Sequence, residues 1–154
     1  MIVLKIGSAL ISSNENLSDK LIKSITGQIN NFIKKGINFV IVTSGAISQG
    51  QKILNINQKP NELESLQALA AIGQQQLMGM YERSFQDYNL LTAQVLLTHS
   101  DMNDIQRYSN AKATIKKILS MNVVPIINEN DVVATDEIKL GDNDALAAMV
   151  SNLI

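Results

Sequence analysis

The sequence predicts an α/β fold, a three-layer α/β/α sandwich in which a mainly parallel sheet lies between two layers of helices. Two observations predict it. Short, mostly apolar segments rich in Val and Ile alternate along the chain with longer segments whose apolar residues recur at helical spacing. Continuous apolar strands of this kind are typical of a parallel sheet that is covered on both faces. With 154 residues, the chain has the length of one domain.

Four short segments are predicted as strands because they are rich in β-branched and other apolar residues. The first ends at Gly7-Ser8 and the second at Thr43-Ser44-Gly45, since glycine and small polar residues interrupt extended runs. The predicted strands are residues 2–6, 39–42, 93–97 and 123–127.

The longer segments between and after these strands are predicted as helices. In the first of them, apolar residues recur at Leu21, Ile22, Ile25 and Ile29, and Gly36 follows as a stop signal. The predicted helices are residues 17–35, 62–88 (as one helix or two), 104–121 and 142–154, and a further helix is predicted to begin at Ala46. Residues 132–140 are predicted as a short hairpin.

Composition excludes several classes of protein. The absence of cysteine excludes a disulfide scaffold, a thiolate zinc site and a cysteine nucleophile. A net charge of −1 gives no electrostatic reason to expect a nucleic acid or a membrane as partner. The longest apolar stretches are too short to span a bilayer, and the N-terminus lacks the pattern of a secretory signal. We therefore expect a soluble, cytoplasmic protein.

Three polar clusters lie at the carboxyl ends of predicted strands, and parallel topology would bring them together. They are Lys5 to Ser8, Thr43 to Gly45, and Asn128 to Asp131. Ligands of open parallel sheets bind at the carboxyl ends of the strands. The sequence therefore predicts a binding site at this edge of the sheet.

An excess of acidic residues accompanies the third cluster. Six acids and one base, Lys139, occupy 16 residues, for a local charge near −5. The acids are Glu129, Asp131, Asp136, Glu137, Asp142 and Asp144. A solvated loop is one interpretation, and a site for a cation such as a metal or an ammonium group is the other.

Familiar catalytic motifs are absent, so the clusters have to be interpreted residue by residue. The chain has no Walker A sequence, no GxGxxG after a strand and no GxSxG around Ser44. Lys5 with Gly7-Ser8 is either a phosphate-binding loop or an ordinary turn after a strand. Ser44-Gly45 is either an anion site at the start of a helix or a plain helix cap.

Four segments together are more specific than any single motif. They are Val3-Leu4-Lys5-Ile6-Gly7-Ser8, Thr43-Ser44-Gly45-Ala46, Ala93-Gln94-Val95-Leu96-Leu97-Thr98, and Ile126-Ile127-Asn128-Glu129-Asn130-Asp131 with Gly141-Asp142-Asn143-Asp144. In order and spacing they resemble the amino acid kinase family, and within it the enzymes that phosphorylate glutamate. The resemblance is most specific over residues 128–144.

The resemblance implies an activity and a role for each cluster. The activity is phosphoryl transfer from ATP, used with Mg²⁺, to the side-chain carboxylate of L-glutamate, the first step of proline synthesis. The implied phosphate contacts are Lys5, Gly7 and Ser8, with Lys5 at the transferring group and Asp144 orienting Lys5. The implied glutamate contacts are Ser44, Gly45, Asp131 and Asn143, with Asn128 supporting the loop. No dedicated metal site is expected.

The resemblance also implies partners and an extent. It suggests a homo-oligomer that proline inhibits at the glutamate site. Domains of this family are longer, so residues 1–154 are expected to be the N-terminal, glutamate-binding portion, truncated before the nucleotide-binding half that would bring ATP, and inactive alone. The alternatives are a non-catalytic remnant that binds glutamate or proline, and another member of the family acting on aspartate, carbamate or a nucleoside monophosphate.

Elementary chemistry agrees with the implied roles. A glutamate side chain has a reference pKa near 4.3, so it is ionised at pH 7 and needs no general base. Asp144 is therefore expected to hold Lys5 rather than to accept a proton. Acidic groups around Asp131 suit the ammonium group of glutamate, whereas an N-acetylated glutamate would leave them unpaired.

Overall fold

The computed structural model describes residues 1–12, 15–135 and 143–154. It contains a four-stranded sheet in the order β1-β2-β4-β3, in which every neighbouring pair is parallel. The strands are β1 (Ile2–Ile6), β2 (Phe39–Thr43), β3 (Leu91–Leu97) and β4 (Val123–Glu129). The parallel α/β prediction is confirmed, and all four carboxyl ends lie at one edge.

Helices connect the strands and cover both faces. They are α1 (Ser8–Ser12), α2 (Glu15–Ile33), α3 (Ala46–Ile53), α4 (Leu63–Gln86), α5 (His99–Asn103), α6 (Ile105–Ser120) and α7 (Asp144–Leu153). The short helices α1 and α5 were not predicted, because five residues are too few to show a helical period. Helix α4 is continuous through Gly73 and Gly79, which settles the choice between one helix and two.

Alternate residues of β2 enter two separate cores. Phe39 and Ile41 pack with α1 to α4 on one face, whereas Val40 and Val42 pack with α5, α6 and α7 on the other. All five residues of β2 are buried. A strand buried on both faces has to be apolar throughout, which explains why its sequence shows no alternation.

Two glycines bring α3 and α4 into close contact. A Cβ added at Gly73 would lie within 2.3 Å of the backbone nitrogen of Gly50, and closer still to the carbonyl oxygen of Ala46. A Cβ at Gly50 would collide with the carbonyl oxygen of Leu69. Only residues without a side chain permit this approach, which fixes α3 against the long helix.

The observed elements differ from the predicted ones mainly in the residues at which they end. Strand β4 continues to Glu129, so Asn128 is a strand residue aligned with Leu96 of β3 rather than a residue of a following loop. Helix α2 ends at Ile33, and Gly36 adopts a φ of 80° in the turn that follows. The predicted hairpin, residues 132–140, begins within a turn formed by residues 131–133, and its residues 136–140 lie outside the described ranges. No helix within the described ranges is long and apolar enough to cross a membrane.

Candidate functional site

A cavity of about 180 Å³ opens at the carboxyl ends of β1, β2 and β4. We call it the strand-end cavity. It is lined by Ser8, Ser44, Gly45, Ala46, Ile47, Ser48, Gln51, Lys59, Asn128, Asp131 and Asn143. The three polar clusters that follow the predicted strands therefore meet, as the parallel topology requires.

Ser44 and Gly45 form the turn from β2 into α3. Gly45 has a φ of 114°, which strains any residue with a side chain, and a Cβ there would lie 3.0 Å from Ile11. The side chain of Ser44 is buried, and its Oγ makes no hydrogen bond within the described ranges. A buried hydroxyl beside the start of a helix is suited to hydrogen-bond a ligand oxygen.

Asn143 joins the end of β2 to that of β4. Its Nδ2 donates to the carbonyl oxygen of Thr43 and, at 2.8 Å, to Oδ1 of Asn128. Asn128 is 1% exposed and Asn143 is 7% exposed. Two buried amides thus brace the cavity wall, and Asn143 also precedes α7 directly.

Asp131 carries the most perturbed charge in the cavity. Its pKa is raised from 3.8 to about 6, chiefly because burial removes water from the carboxylate and also because the Glu129 carboxylate repels it. The Lys59 ammonium acts in the opposite direction. Burial and the repulsion from Glu129 disfavour the ionised form of Asp131. A cationic ligand would stabilise that form, since a nearby positive charge favours an ionised carboxylate.

Lys5 and Asp144 form an ion pair beside the cavity. The Nζ of Lys5 lies 2.6 Å from Oδ1 of Asp144, the first residue of α7. A Cβ added at Gly7 would lie 3.5 Å from the same Nζ, so the ammonium group extends over the backbone of the β1–α1 turn. The ammonium group of Lys5 is therefore placed to form an ion pair with a negatively charged group bound above this turn.

The sequence model of the amino acid kinase family matches residues 1–154, the whole chain. The chain belongs to the amino acid kinase family. Its similar relatives include "Glutamate 5-kinase" of Laribacter hongkongensis, 50% identical, and of Cupriavidus taiwanensis, 49% identical. "Glutamate 5-kinase" of Nitrosospira multiformis is 47% identical. Each alignment covers 99% of this chain and 41% of the relative, so the chain spans about two-fifths of their length.

The resemblance inferred from the motifs is thereby confirmed, and this amino acid kinase chain brings most of the predicted site residues together. Six of them line the strand-end cavity: Ser8, Ser44, Gly45, Asn128, Asp131 and Asn143. Lys5, Gly7 and Asp144 do not line it, and they form the adjacent group described above. Gly141, Asp142 and the acids at 136 and 137 lie outside the described ranges.

Sequence reasoning missed Lys59 and Gln51, which also line the cavity of this amino acid kinase chain. Neither lies at a strand end, and nothing in the spacing of a lone lysine before Pro60 marks it as a site residue. The cavity thus contains an acidic and a basic side chain, a combination that suits a ligand with both charges, such as an amino acid.

Proposed function

We propose that this chain provides the amino-acid site of an ATP-dependent kinase that converts L-glutamate to L-glutamyl 5-phosphate, the first step of proline synthesis. The observation that carries the proposal is the position of the Lys5–Asp144 pair beside a cavity that contains Asp131. The proposal uses the Lys5 ammonium group for the phosphoryl group and the Asp131 carboxylate for the substrate's own ammonium group. The names of the relatives supply the substrate.

Substrate binding is assigned to the cavity. The carboxylate of Asp131 pairs with the α-ammonium group of glutamate, which relieves the repulsion from Glu129. The hydroxyl of Ser44 donates to a glutamate carboxylate at the start of α3, and Gly45 permits the approach. Lys59 lines the same cavity, and its ammonium group pairs with the second carboxylate of glutamate.

Phosphoryl transfer requires no proton transfer. An ionised side-chain oxygen of glutamate forms a bond to the γ-phosphorus of ATP, the bond from that phosphorus to the bridging oxygen breaks, and ADP departs with its electron pair. Lys5 stabilises the charge that develops on the phosphoryl oxygens. The backbone of Gly7 and Ser8 lies beside the Lys5 ammonium group and contacts the same phosphate. Asp144 fixes the ammonium group of Lys5 and accepts no proton.

Mg²⁺ neutralises phosphate charge when it accompanies ATP in this chemistry. Within the described ranges, no three His, Cys, Asp or Glu side chains are grouped so that they could hold a metal ion. The proposal therefore assigns the ion to no residue of the described ranges.

The test is an assay on the protein at its natural length. ADP release is coupled to NADH oxidation, and the acyl phosphate is trapped with hydroxylamine. We expect glutamate-dependent ADP release with a matching yield of hydroxamate, both lost in Lys5→Ala. ADP release that does not depend on glutamate, or hydroxamate formed equally from aspartate, would contradict the proposal.

A further inference from the structure

A row of side-chain amides leads from the strand-end cavity through β4 to α4. Asn143 donates to Asn128 at 2.8 Å, and Nδ2 of Asn128 donates to Oε1 of Gln74 at 2.8 Å. Gln74 then donates to Gln94 of β3 at 3.4 Å, a longer and exposed contact. Gln74 lies on α4 and does not line the cavity.

The donor-to-acceptor direction of the hydrogen bonds in this row is fixed by the contact of Asn143 with the backbone of Thr43. The carbonyl oxygen of Thr43 can only accept a hydrogen bond, so it holds the NH₂ group of Asn143 rather than its oxygen. Both amide hydrogens of Asn143 are then engaged, one with Thr43 and one with Asn128. The polar atom that Asn143 can offer to a ligand is its carbonyl oxygen, Oδ1.

The orientation of Asn128 follows from that of Asn143 and depends on Gln74. Because Asn128 accepts through Oδ1, its NH₂ group faces away from Asn143 and needs an acceptor. Oε1 of Gln74 is that acceptor. Asn128 is 1% exposed, so without Gln74 its NH₂ group would be buried with no hydrogen-bond acceptor. A buried donor without a partner is costly, because it has lost its hydrogen bonds to water and gained none in return.

We propose that Gln74 is a positioning residue for substrate selection, acting through Asn128 on Asn143. With the row intact, the cavity presents Oδ1 of Asn143 and the carboxylate of Asp131 as acceptors for one ligand group. Two acceptors together select a ligand with an unsubstituted ammonium group over one without it. This inference rests on the proposed function, since it concerns how the same site recognises the amino group of its substrate.

The experiment compares two variants of Gln74 with one variant of its neighbour Gln75 on the same helix. Gln74→Met removes the acceptor at nearly constant length, and Gln74→Glu retains an acceptor. Gln75→Met is the matched control, because Gln75 is exposed and does not line the strand-end cavity. Each variant of the protein at its natural length is assayed for kcat and for the KM of L-glutamate and of ATP. Glutarate, which has the two carboxylates without the ammonium group, is measured as a competitor of L-glutamate.

We expect Gln74→Met to raise the KM of L-glutamate by about tenfold, the effect of one lost buried hydrogen-bond partner. The inhibition constant of glutarate and the KM of ATP should change less than about twofold, since neither depends on the ammonium acceptors. Gln74→Glu should restore most of the selectivity, and Gln75→Met should match the wild type. If Gln74→Met does not fold, Gln74→Asn replaces it, because it withdraws the acceptor by one methylene.

Parallel weakening of glutamate and glutarate, or equal defects in Gln74→Met and Gln74→Glu, would overturn the inference and leave a merely structural role. An unchanged preference in Gln74→Met would overturn it as well. A wild-type protein that turns over L-glutamate and shows any of these results contradicts the role of Gln74 alone. A wild-type protein without glutamate-dependent turnover contradicts the proposed function, and the inference with it.

Discussion

At the scale of single residues, the ionisation of Asp131 should control how substrate binding depends on pH. Its pKa is raised to about 6, so the carboxylate becomes protonated as the pH falls through 6. A neutral carboxyl group cannot pair with an ammonium group, whereas glutamate itself keeps its charges between pH 5 and pH 8. We expect the KM of glutamate to rise below pH 6, by at most about tenfold per pH unit.

Steady-state kinetics between pH 5 and pH 8 measure this effect, with Asp131→Asn as the comparison. That variant should have a high KM that varies little with pH, because the titrating group is gone. A KM that is constant from pH 5 to pH 8 in the wild type would show that Asp131 does not bind the ammonium group.

The ion pair of Lys5 and Asp144 leads to a second prediction at this scale. Asp144 is 68% exposed, so the pair adds little stability. Under the proposed function, Asp144 orients Lys5. We expect Lys5→Ala to lower kcat by at least about a hundredfold and Asp144→Ala by about tenfold. The double variant should be no slower than Lys5→Ala, because Asp144 acts only through Lys5.

The measurement is a double-mutant cycle on kcat at saturating glutamate and ATP. Thermal unfolding of the four proteins provides the control for loss of structure. A double variant whose loss is the product of the two single losses would mean that Asp144 acts independently of Lys5.

At the scale of elements, the crossing of α3 and α4 should govern both stability and the site. Gly73→Ala places a Cβ against the backbone of Ala46 and Gly50, and backbone cannot move aside as a side chain does. We expect a loss of about 3 kcal/mol or more in the free energy of unfolding. The KM of glutamate should rise too, since α3 begins at Ala46, directly after Ser44-Gly45.

Gly79→Ala is the matched control in the same helix. A Cβ there would meet only the flexible end of Arg83, at 3.1 Å, so alanine should stabilise the helix by up to about 1 kcal/mol. Urea unfolding of the two variants distinguishes the effects. Equal behaviour of Gly73→Ala and Gly79→Ala would show that helix propensity, and not the close approach, determines stability here.

At the scale of the whole molecule, the sheet should be most resistant to opening along its centre. Strands β2 and β4 lie inside the order β1-β2-β4-β3, and nearly all of their residues are buried. We expect their backbone amides to exchange with deuterium more slowly than those of β1 and β3, because they open only when both cores open. Hydrogen exchange followed by mass spectrometry tests this, and faster exchange in β2 than in β3 would contradict it.

Much of this architecture was predictable, because apolar strands and amphipathic helices leave strong local patterns. The strand ends of β1 and β2 were predicted within a residue, since Gly7 follows β1 directly and Ser44-Gly45 follows β2. The end of β4 was placed two residues early, because Asn128 and Glu129 are polar and a polar residue in a strand is buried only when tertiary partners exist. Those partners, such as Gln74, lie far away in sequence and leave no local signal.

The hydrogen bond between Asn143 and Thr43 also determines when the site is formed during folding. It joins residues 100 positions apart, and closing a loop of that length costs about 4 kcal/mol of chain entropy. Contacts within and between neighbouring segments, such as β1 with β2 and α3 with α4, close much shorter loops and are expected to form earlier. On the ribosome, the cavity is therefore completed only after residue 143 has emerged, so a shorter nascent chain presents the strands of the site without its last wall.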